Sequence, residues 1–334
     1  MHWFERLYRL YGERDIPLFH EMTYTDISID LSSDGRLISA RRLREHMTIP
    51  VTESSQNRTV NISPHPLCDN VYNLSEPKRR AAYLRYLREW ACSKYGNDAL
   101  LAVMRFVEIN CVSDILTELN IQHKSSEKVS FSVDEKPLCG RGEMIQSHIE
   151  YIRAQPTEMG ICCISGEYTA ICHTHPKKLT SPSSNAKLIS CRERERLVFS
   201  GRFDNAEDVF PIGREVSFKA HAVLKRLISE GGVKLQNRIF LAFDKSGNAI
   251  SLPLIGKEAT PFGDVTILSF CEMCEGRLSV TLCRTVSAAE YTKLLQISPI
   301  DRKKLHEQNS GHRYEQALNI ILKDVGEKPY APVI

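Results

Sequence analysis

Stretches in which apolar and polar residues alternate predict several β-strands joined by tight turns. Tyr24–Leu31 alternates in this way, and the Asp34-Gly35 dipeptide that follows is typical of a hairpin turn. Further strands are predicted at Val129–Asp134, Arg238–Phe243, Val265–Phe270 and Arg277–Arg284. Because no repeated strand–helix–strand pattern occurs, we expect mainly antiparallel pairing.

Apolar residues that recur every three or four positions predict helices between these strands. The predicted helices are Met1–Tyr11, Lys78–Lys94 behind Pro77, a helix from Asp98 to beyond Ile115, Met144–Arg153 and Phe218–Ile228. The predicted fold class is therefore α+β, with mainly antiparallel sheet elements, flanking helices and an irregular arrangement of several lobes. We expect three regions: helices and a hairpin over residues 1–128, a β-rich core over 129–295 and a helical tail over 296–334.

Composition and charge are those of an ordinary globular protein. Of the 334 residues, 42% are hydrophobic and 25% are charged, and the net charge of +3 is too small to indicate a nucleic-acid partner by itself. The N-terminus lacks the apolar core of a signal peptide, and no apolar run is long enough to span a membrane. We therefore expect a cytoplasmic protein whose eleven cysteines are reduced thiols.

Four cysteines are candidate ligands for a structural zinc ion. Cys271 and Cys274 have the spacing of a zinc knuckle, and Cys172 and Cys283 could complete a tetrahedral site. Cys162 or Cys163 and His173 or His175 could join Cys172 as ligands, but their spacing exceeds the short gap that is usual in such sites. The alternative is that Cys162, Cys163 and Cys172 are small hydrophobic residues packed on strands. The sequence requires no cofactor, and it leaves open whether a structural zinc ion is bound.

A catalytic nucleophile has little support in the sequence. Ser165-Gly166 resembles half of a nucleophile elbow, and Cys172 with His175 could form a thiol–imidazole pair. The residues that would complete either arrangement are missing from the flanking sequence, and Ser165-Gly166 is typical of a turn between strands. Phosphate-loop and dinucleotide-binding motifs are also absent.

Three basic clusters are candidate contacts for a phosphate backbone. They are Lys78-Arg79-Arg80, Lys177-Lys178, and the set of Arg192, Arg194 and Arg196. The arginines of the last set alternate with glutamates, so a strand would place all three guanidinium groups on one face. The alternative for this last set is a solvated strand face with local salt bridges.

Several short motifs follow one another along the chain. They are Met1–Pro17, Leu67-Cys-Asp-Asn70, Cys163-Ile-Ser-Gly-Glu167, His175-Pro-Lys177, Asn185-Ala-Lys-Leu-Ile-Ser190, Phe199-Ser-Gly201 with Asn205-Ala206, and Gly276-Arg-Leu-Ser-Val280. In order and spacing, from Met1 to about Leu295, they resemble the Csd-type large subunit of the type I-C CRISPR Cascade complex.

The chain departs from that family's pattern in three places. Ser183-Ser184-Asn185-Ala186 stands where the family has a Gly-Ala-Gln segment, and Asn205-Ala-Glu-Asp208 stands where it has Asn-Ala-Pro-Val-Ser. The family's long C-terminal helical region, which doubles as the small subunit, has no counterpart here. The resemblance therefore implies a compact large subunit, whose small subunit is a separate chain or is absent.

The resemblance implies a non-catalytic subunit of a crRNA-guided ribonucleoprotein complex for antiviral defence. Such a subunit recognises the protospacer-adjacent motif (PAM) in duplex DNA and supports strand opening into an R-loop. The implied partners are crRNA, target double-stranded DNA, the guide-coating backbone subunits and the repeat-processing subunit. No membrane partner is implied.

The resemblance also selects candidate site residues. Asn70 and Asn73 are candidates for contact with the PAM, because an amide can both donate to and accept from base edges. The three basic clusters are candidates for contacts with the DNA or RNA backbone. His175, Asn185 and Asn205 are further candidates, because they fall within motifs of the family.

Two other functions stay open from the sequence alone. One is a zinc-dependent nuclease or hydrolase that uses the cysteines and histidines as ligands. The other is a nucleic-acid-binding module with no role in CRISPR defence.

Overall fold

A computed structural model gives the arrangement of the chain in two compact units. It describes residues 3–56, 58, 62–180, 184–189, 210–235, 238–250, 263–274 and 276–291. The N-terminal unit comprises Ile16–Gly160 and Tyr168–Thr174. The C-terminal unit comprises Met1–Asp15, Ile161–Glu167 and the residues from His175 onward.

The helices and strands alternate irregularly along the chain, as expected for an α+β protein. The helices are α1 (Trp3–Arg9), α2 (Glu53–Gln56), α3 (Val71–Ser75), α4 (Pro77–Ala91), α5 (Asp98–Ile109), α6 (Val112–Glu118), α7 (Gly142–Arg153) and α8 (Arg214–Gly231). The strands are β1 (His20–Leu31), β2 (Leu37–Pro50), β3 (Cys68–Asn70), β4 (Lys128–Val133), β5 (Lys136–Pro137), β6 (Met159–Ile161), β7 (Tyr168–Ala170), β8 (Val233–Leu235), β9 (Arg238–Phe243), β10 (Ala249–Ile250), β11 (Val265–Cys274) and β12 (Arg277–Val286).

The N-terminal unit is built on a sheet with the strand order β2-β1-β4-β3, in which β5 also pairs with β4. The neighbours pair antiparallel except for β1 and β4, which are parallel with Ile27 opposite Val129. The predicted mixed fold with mainly antiparallel sheets is therefore confirmed. The predicted boundary between residues 128 and 129 lies at the start of β4, inside this sheet.

The predicted hairpin at Asp34-Gly35 is confirmed, and its strands are longer than the alternation indicated. Gly35 has a φ of +87°, which L-residues with a side chain rarely adopt. A Cβ atom at this position would also lie 2.7 Å from the carbonyl oxygen of Ala102 in α5. Glycine is therefore required here both by the turn conformation and by the close approach of a helix.

Helices α4 and α5 pack against each other and lead into the region of the candidate site. Pro77 occupies the first turn of α4, where a missing N–H costs nothing, and the Glu76 carboxylate caps the helix through the backbone N–H of Arg79. The predicted single helix from Asp98 to beyond Ile115 is wrong. The chain is extended at Asn110 and Cys111, so two helices form, α5 and α6.

The core of the N-terminal unit has two parts. Helix α5 packs on β1 and β4, where the rings of Phe106 and Phe131 meet edge to face. An aromatic cluster joins α4 to α7: the indole of Trp90 stacks on Tyr151 and contacts the imidazole of His148. Burial of these large rings stabilises the packing of the helices.

The C-terminal unit is built on a second sheet with the order β10-β9-β11-β12, in which β8 also pairs with β9. Helices α1 and α8 contact each other and cover one face of this sheet. The core beneath them includes Phe4, Leu7, Val223, Leu224, Leu227, Leu241, Phe243, Leu268 and Phe270. A buried ion pair between Arg226 of α8 and Asp15 (2.7 Å) holds the end of the N-terminal segment in this unit.

The predicted tail over 296–334 lies outside the described residues. Within the described ranges, no helix combines the length and the apolar character needed to cross a membrane. The predicted turn at Ser165-Gly166 forms, with the Gly166 N–H donating to the Cys162 carbonyl oxygen.

Candidate nucleic-acid interface

The Leu67-Cys-Asp-Asn70 motif is organised by the carboxylate of Asp69, whose side chain is completely buried. Both oxygens accept from the guanidinium group of Arg58, each at 2.8 Å. The backbone N–H groups of His65 and Asn70 and the side-chain amide of Asn73 donate to the same carboxylate, at 2.8–2.9 Å. We call this arrangement the Asp69 hub.

The electrostatics of the hub favour the ionised carboxylate. Burial acts to raise the pKa of Asp69, but the hydrogen bonds and positive charge of Arg58 outweigh burial and hold the pKa below its ordinary value. A buried ion pair with further hydrogen bonds is costly to break, because the remaining charge has no water to replace its partner. The Asp69 carboxylate therefore fixes the position of Asn70 by accepting a hydrogen bond from the backbone N–H of Asn70.

Asn70 is half-buried and lies at the end of β3, directly before α3. Its side-chain oxygen accepts from the backbone N–H of Asn73 (2.8 Å), so it is the N-cap of α3. The amide nitrogen of Asn70 makes no hydrogen bond with any residue that the structure describes. Among the residues that the structure describes, the donor hydrogens of the Asn70 amide are thus unpaired.

Asn73, the other predicted amide, is buried and belongs to the hub. Its amide nitrogen donates to Asp69 (2.8 Å), and its oxygen accepts from the guanidinium of Arg79 (3.2 Å). Both ends of this side chain are therefore used within the protein. Asn73 therefore supports the local fold, whereas the side-chain NH₂ group of Asn70 can still donate to a ligand.

The three residues of the basic cluster Lys78-Arg79-Arg80 have different environments. Lys78 is exposed and makes no ion pair among the described residues. Arg79 lies over the exposed ring of Tyr72, 5.3 Å from its centre. Arg80 donates to the carbonyl oxygens of Val107 and Glu108 and so completes the C-terminal turn of α5.

Three of the family motifs, those that contain Lys177, Asn185 and Arg277, meet in the C-terminal unit. A β-bridge joins Lys177 to Lys187, and a second bridge joins Lys187 to Arg277. The ammonium group of Lys177 donates to the side-chain oxygen of Asn185 (3.1 Å). Lys178 is half-buried, with a φ of +61°. Burial, together with the charges of Lys178 and Lys187, lowers the pKa of Lys177.

His175 is buried beneath this cluster and contacts α8. Its Nδ1 atom lies 2.8 Å from the hydroxyl of Ser217, which lies 3.4 Å from Nδ1 of His221. Burial lowers the pKa of His175 to about 4, with a smaller effect from Lys187. Burial and the neighbouring His175 lower the pKa of His221 to about 3. Both imidazoles are therefore neutral near pH 7 and belong to the packing of the core.

The four cysteines predicted as zinc ligands lie on β11, on β12 and in the N-terminal unit. Cys271 is buried within β11, and Cys274 is the last residue of the same strand. Cys283 is exposed on β12, where partial burial of its thiol raises the pKa. Cys172 is buried in the N-terminal unit. Over the residues that the structure describes, no group of three or more candidate ligands is close enough to hold a metal ion.

The arginine set Arg192, Arg194 and Arg196, together with Asn205, lies outside the described residues. The sequence motifs predicted Asn70 and its neighbours as site residues but did not indicate Asp69 and Arg58, which position them. The acidic residue within the apolar Leu67-Cys-Asp-Asn70 segment was a signal for a buried partner. The identity of that partner had no signal in the sequence.

A family model described as CRISPR-associated protein (Cas_Csd1) matches residues 5–315. The chain is therefore a CRISPR-associated protein and a subunit of a Cascade complex, which it forms with other CRISPR-associated subunits. Because the match covers most of the chain, the chain belongs to the Cas_Csd1 family. The resemblance to the Csd-type large subunit is thereby confirmed. No curated protein matches the chain.

Proposed function

We propose that the protein is the non-catalytic large subunit of a type I-C-like complex and that it recognises the PAM in duplex DNA through Asn70. The complex then opens the duplex beside the motif, and the guide RNA pairs with the target strand. Family membership supports the setting. The single observation that carries the residue assignment is the amide nitrogen of Asn70, which is partly exposed and has no hydrogen-bond partner within the described part of the chain.

The rigidity of this corner is what makes base recognition by a single amide plausible in physical terms. The backbone of Asn70 is held by Asp69, and its side-chain oxygen is held by the cap of α3. A donor held in one direction discriminates among bases, because a wrong base leaves it unpaired. Lys78 follows Asn70 closely in the chain and supplies a contact to a DNA phosphate group that does not depend on the base sequence.

The test uses the assembled complex with crRNA and duplex targets that carry a randomised segment beside the protospacer. Sequencing of bound DNA identifies the preferred motif for the native protein. Asn70→Ser keeps an oxygen that can cap α3 and removes the amide, so the preference for the motif should fall about tenfold or more. Assembly on crRNA should be unchanged.

Lys78→Ala is the companion variant, because it removes a phosphate contact and no base contact. We expect weaker binding to targets with and without the motif alike, and a salt dependence whose slope is lower by about one. Lys94→Ala, an exposed lysine beyond the end of α4, is the matched control and should leave both unchanged. An Asn70→Ser complex with an unaltered motif preference would show the residue assignment to be wrong.

A further inference from the structure

An open groove of about 580 Å³ runs between α4 and the segment at residues 62–64. Lys78, Ala82, Arg85 and Tyr86 line it at intervals of three and four residues, so they form one face of the helix. The small side chain of Ala82 leaves the space between the longer ones. A volume of this size is within the range of sites for small organic ligands, about 300–1,000 Å³.

The opposite wall of the groove is fixed by the Asp69 hub. Ile62 and Pro64 line this wall, and the carbonyl oxygen of the intervening Ser63 accepts from the guanidinium of Arg58 (2.9 Å). Because Arg58 is also paired with Asp69, the wall and Asn70 are held by the same buried carboxylate. One wall of the groove and Asn70 are therefore anchored to the same ion pair, that of Asp69 with Arg58.

Tyr86 presents its ring to the groove, because its hydroxyl is held elsewhere. The hydroxyl oxygen lies 3.0 Å from Nε2 of His148, which is completely buried in the aromatic cluster between α4 and α7. The ring of Tyr151 packs edge to face against Tyr86. These contacts set one orientation for Tyr86, and a fixed aromatic ring is a surface on which a nucleobase can stack.

The charges around the groove favour an anionic occupant. Lys78 and Arg85 are exposed, and neither makes a hydrogen bond or an ion pair with any residue that the structure describes. By contrast Arg88, on the same helix outside the groove, is paired with Glu108 (2.6 Å). Glu89 also lines the groove, so the lining carries two cations and one carboxylate, an excess of one positive charge. Exposed cations beside apolar side chains and an aromatic ring match the phosphate and base of a nucleotide.

We propose that this groove holds one unpaired nucleotide of the DNA strand displaced from the guide, with the base against Tyr86 and the phosphates near Lys78 and Arg85. The base must be unpaired, because bases within a duplex are stacked on one another and expose only their edges. The inference rests on the proposed function, since strand opening next to the PAM is what supplies such a nucleotide.

The test is photo-crosslinking in the assembled complex. 5-Iododeoxyuridine is placed at successive positions of the displaced strand beside the PAM, and adducts are mapped by mass spectrometry. We expect one position to give an adduct on the α4 peptide that contains Tyr86. Arg85→Ala and Ala82→Leu, which fills the groove, should each lower its yield at least about fivefold, as expected for loss of one stacked base.

Two variants serve as matched controls. Arg88→Ala removes a charge of the same type from the same helix and should leave the yield unchanged. Tyr86→Phe keeps the aromatic ring and should retain the adduct. Thermal unfolding of each variant separates loss of binding from loss of fold. An equal fall in adduct yield for Arg85→Ala and Arg88→Ala would overturn the proposal. An unchanged adduct yield for a folded Ala82→Leu protein would also overturn it.

The outcomes also distinguish this proposal from the proposed function. Asn70→Ser should lower the motif preference, whereas Arg85→Ala should retain that preference and lower only the yield of the adduct. A second series places 5-iodouridine in the crRNA, and an adduct on Tyr86 from the RNA would refute the assignment to DNA. Loss of complex assembly in Ala82→Leu, with no adduct in the native protein, would show that a protein side chain fills the groove instead.

Discussion

Replacement of Asp69 by asparagine should be among the most damaging single changes in the N-terminal unit. The two side chains have nearly the same shape, so the change isolates the charge and the pattern of hydrogen bonds. Five donors converge on the carboxylate, and an amide nitrogen in place of one oxygen would face donors instead of accepting from them. Arg58 would also lose its counter-charge in a site where its side chain is only 12% exposed.

The expected cost is about 3–5 kcal/mol, which is usual when one partner of a buried ion pair is removed. For a unit of this size, that corresponds to a fall in melting temperature of about 6–20 °C. The assay is denaturant unfolding followed by fluorescence. The chain has two tryptophans, so a Trp3→Phe background leaves Trp90 to report on the N-terminal unit.

Asp114→Asn, at an exposed position in the first turn of α6, is the control and should cost less than about 0.5 kcal/mol. The pH dependence provides a second check. Because the folded state lowers the pKa of Asp69 below 3.8, its contribution is complete above that pH and is lost as the pH falls through the lower folded value. A loss below about 1 kcal/mol for Asp69→Asn would refute the idea of a central hub.

Three further predictions concern the cap of α3 and the core of the C-terminal unit. Asn70→Ala should lower the free energy of unfolding by about 1 kcal/mol through loss of the cap, whereas Asn70→Ser should leave it nearly unchanged in the same denaturant assay. Arg226→Ala should lower the stability of the C-terminal unit by about 3 kcal/mol, because the Asp15 carboxylate would stay buried without its partner; a calorimetric scan that resembles the native one would contradict this. The native protein should lose stability as the pH falls from 6.5 towards 4, because His175 and His221 take up protons only in the unfolded state, and His175→Gln should flatten that slope.

The hydrophobic pattern was sufficient for most individual helices and strands. The hairpin at Asp34-Gly35, the helix behind Pro77 and the strand at β4 were all predicted, because each depends on residues that are close in sequence. Pattern alone failed at Asn110, where the apolar spacing continues from α5 into α6 although the backbone turns extended. A stripe of apolar residues indicates which face is buried and does not indicate where a helix must stop.

The sequence by itself determined the family, the fold class and the position of Asn70 within a motif. Only the tertiary structure decided what each polar residue does. In the tertiary structure Asp69 pairs with Arg58, Asn73 donates to the Asp69 hub, and Arg80 donates to the last turn of α5. The physical reason is that periodicity records burial along one element, whereas hydrogen bonds and ion pairs depend on which distant residues the fold brings within about 3 Å of each other.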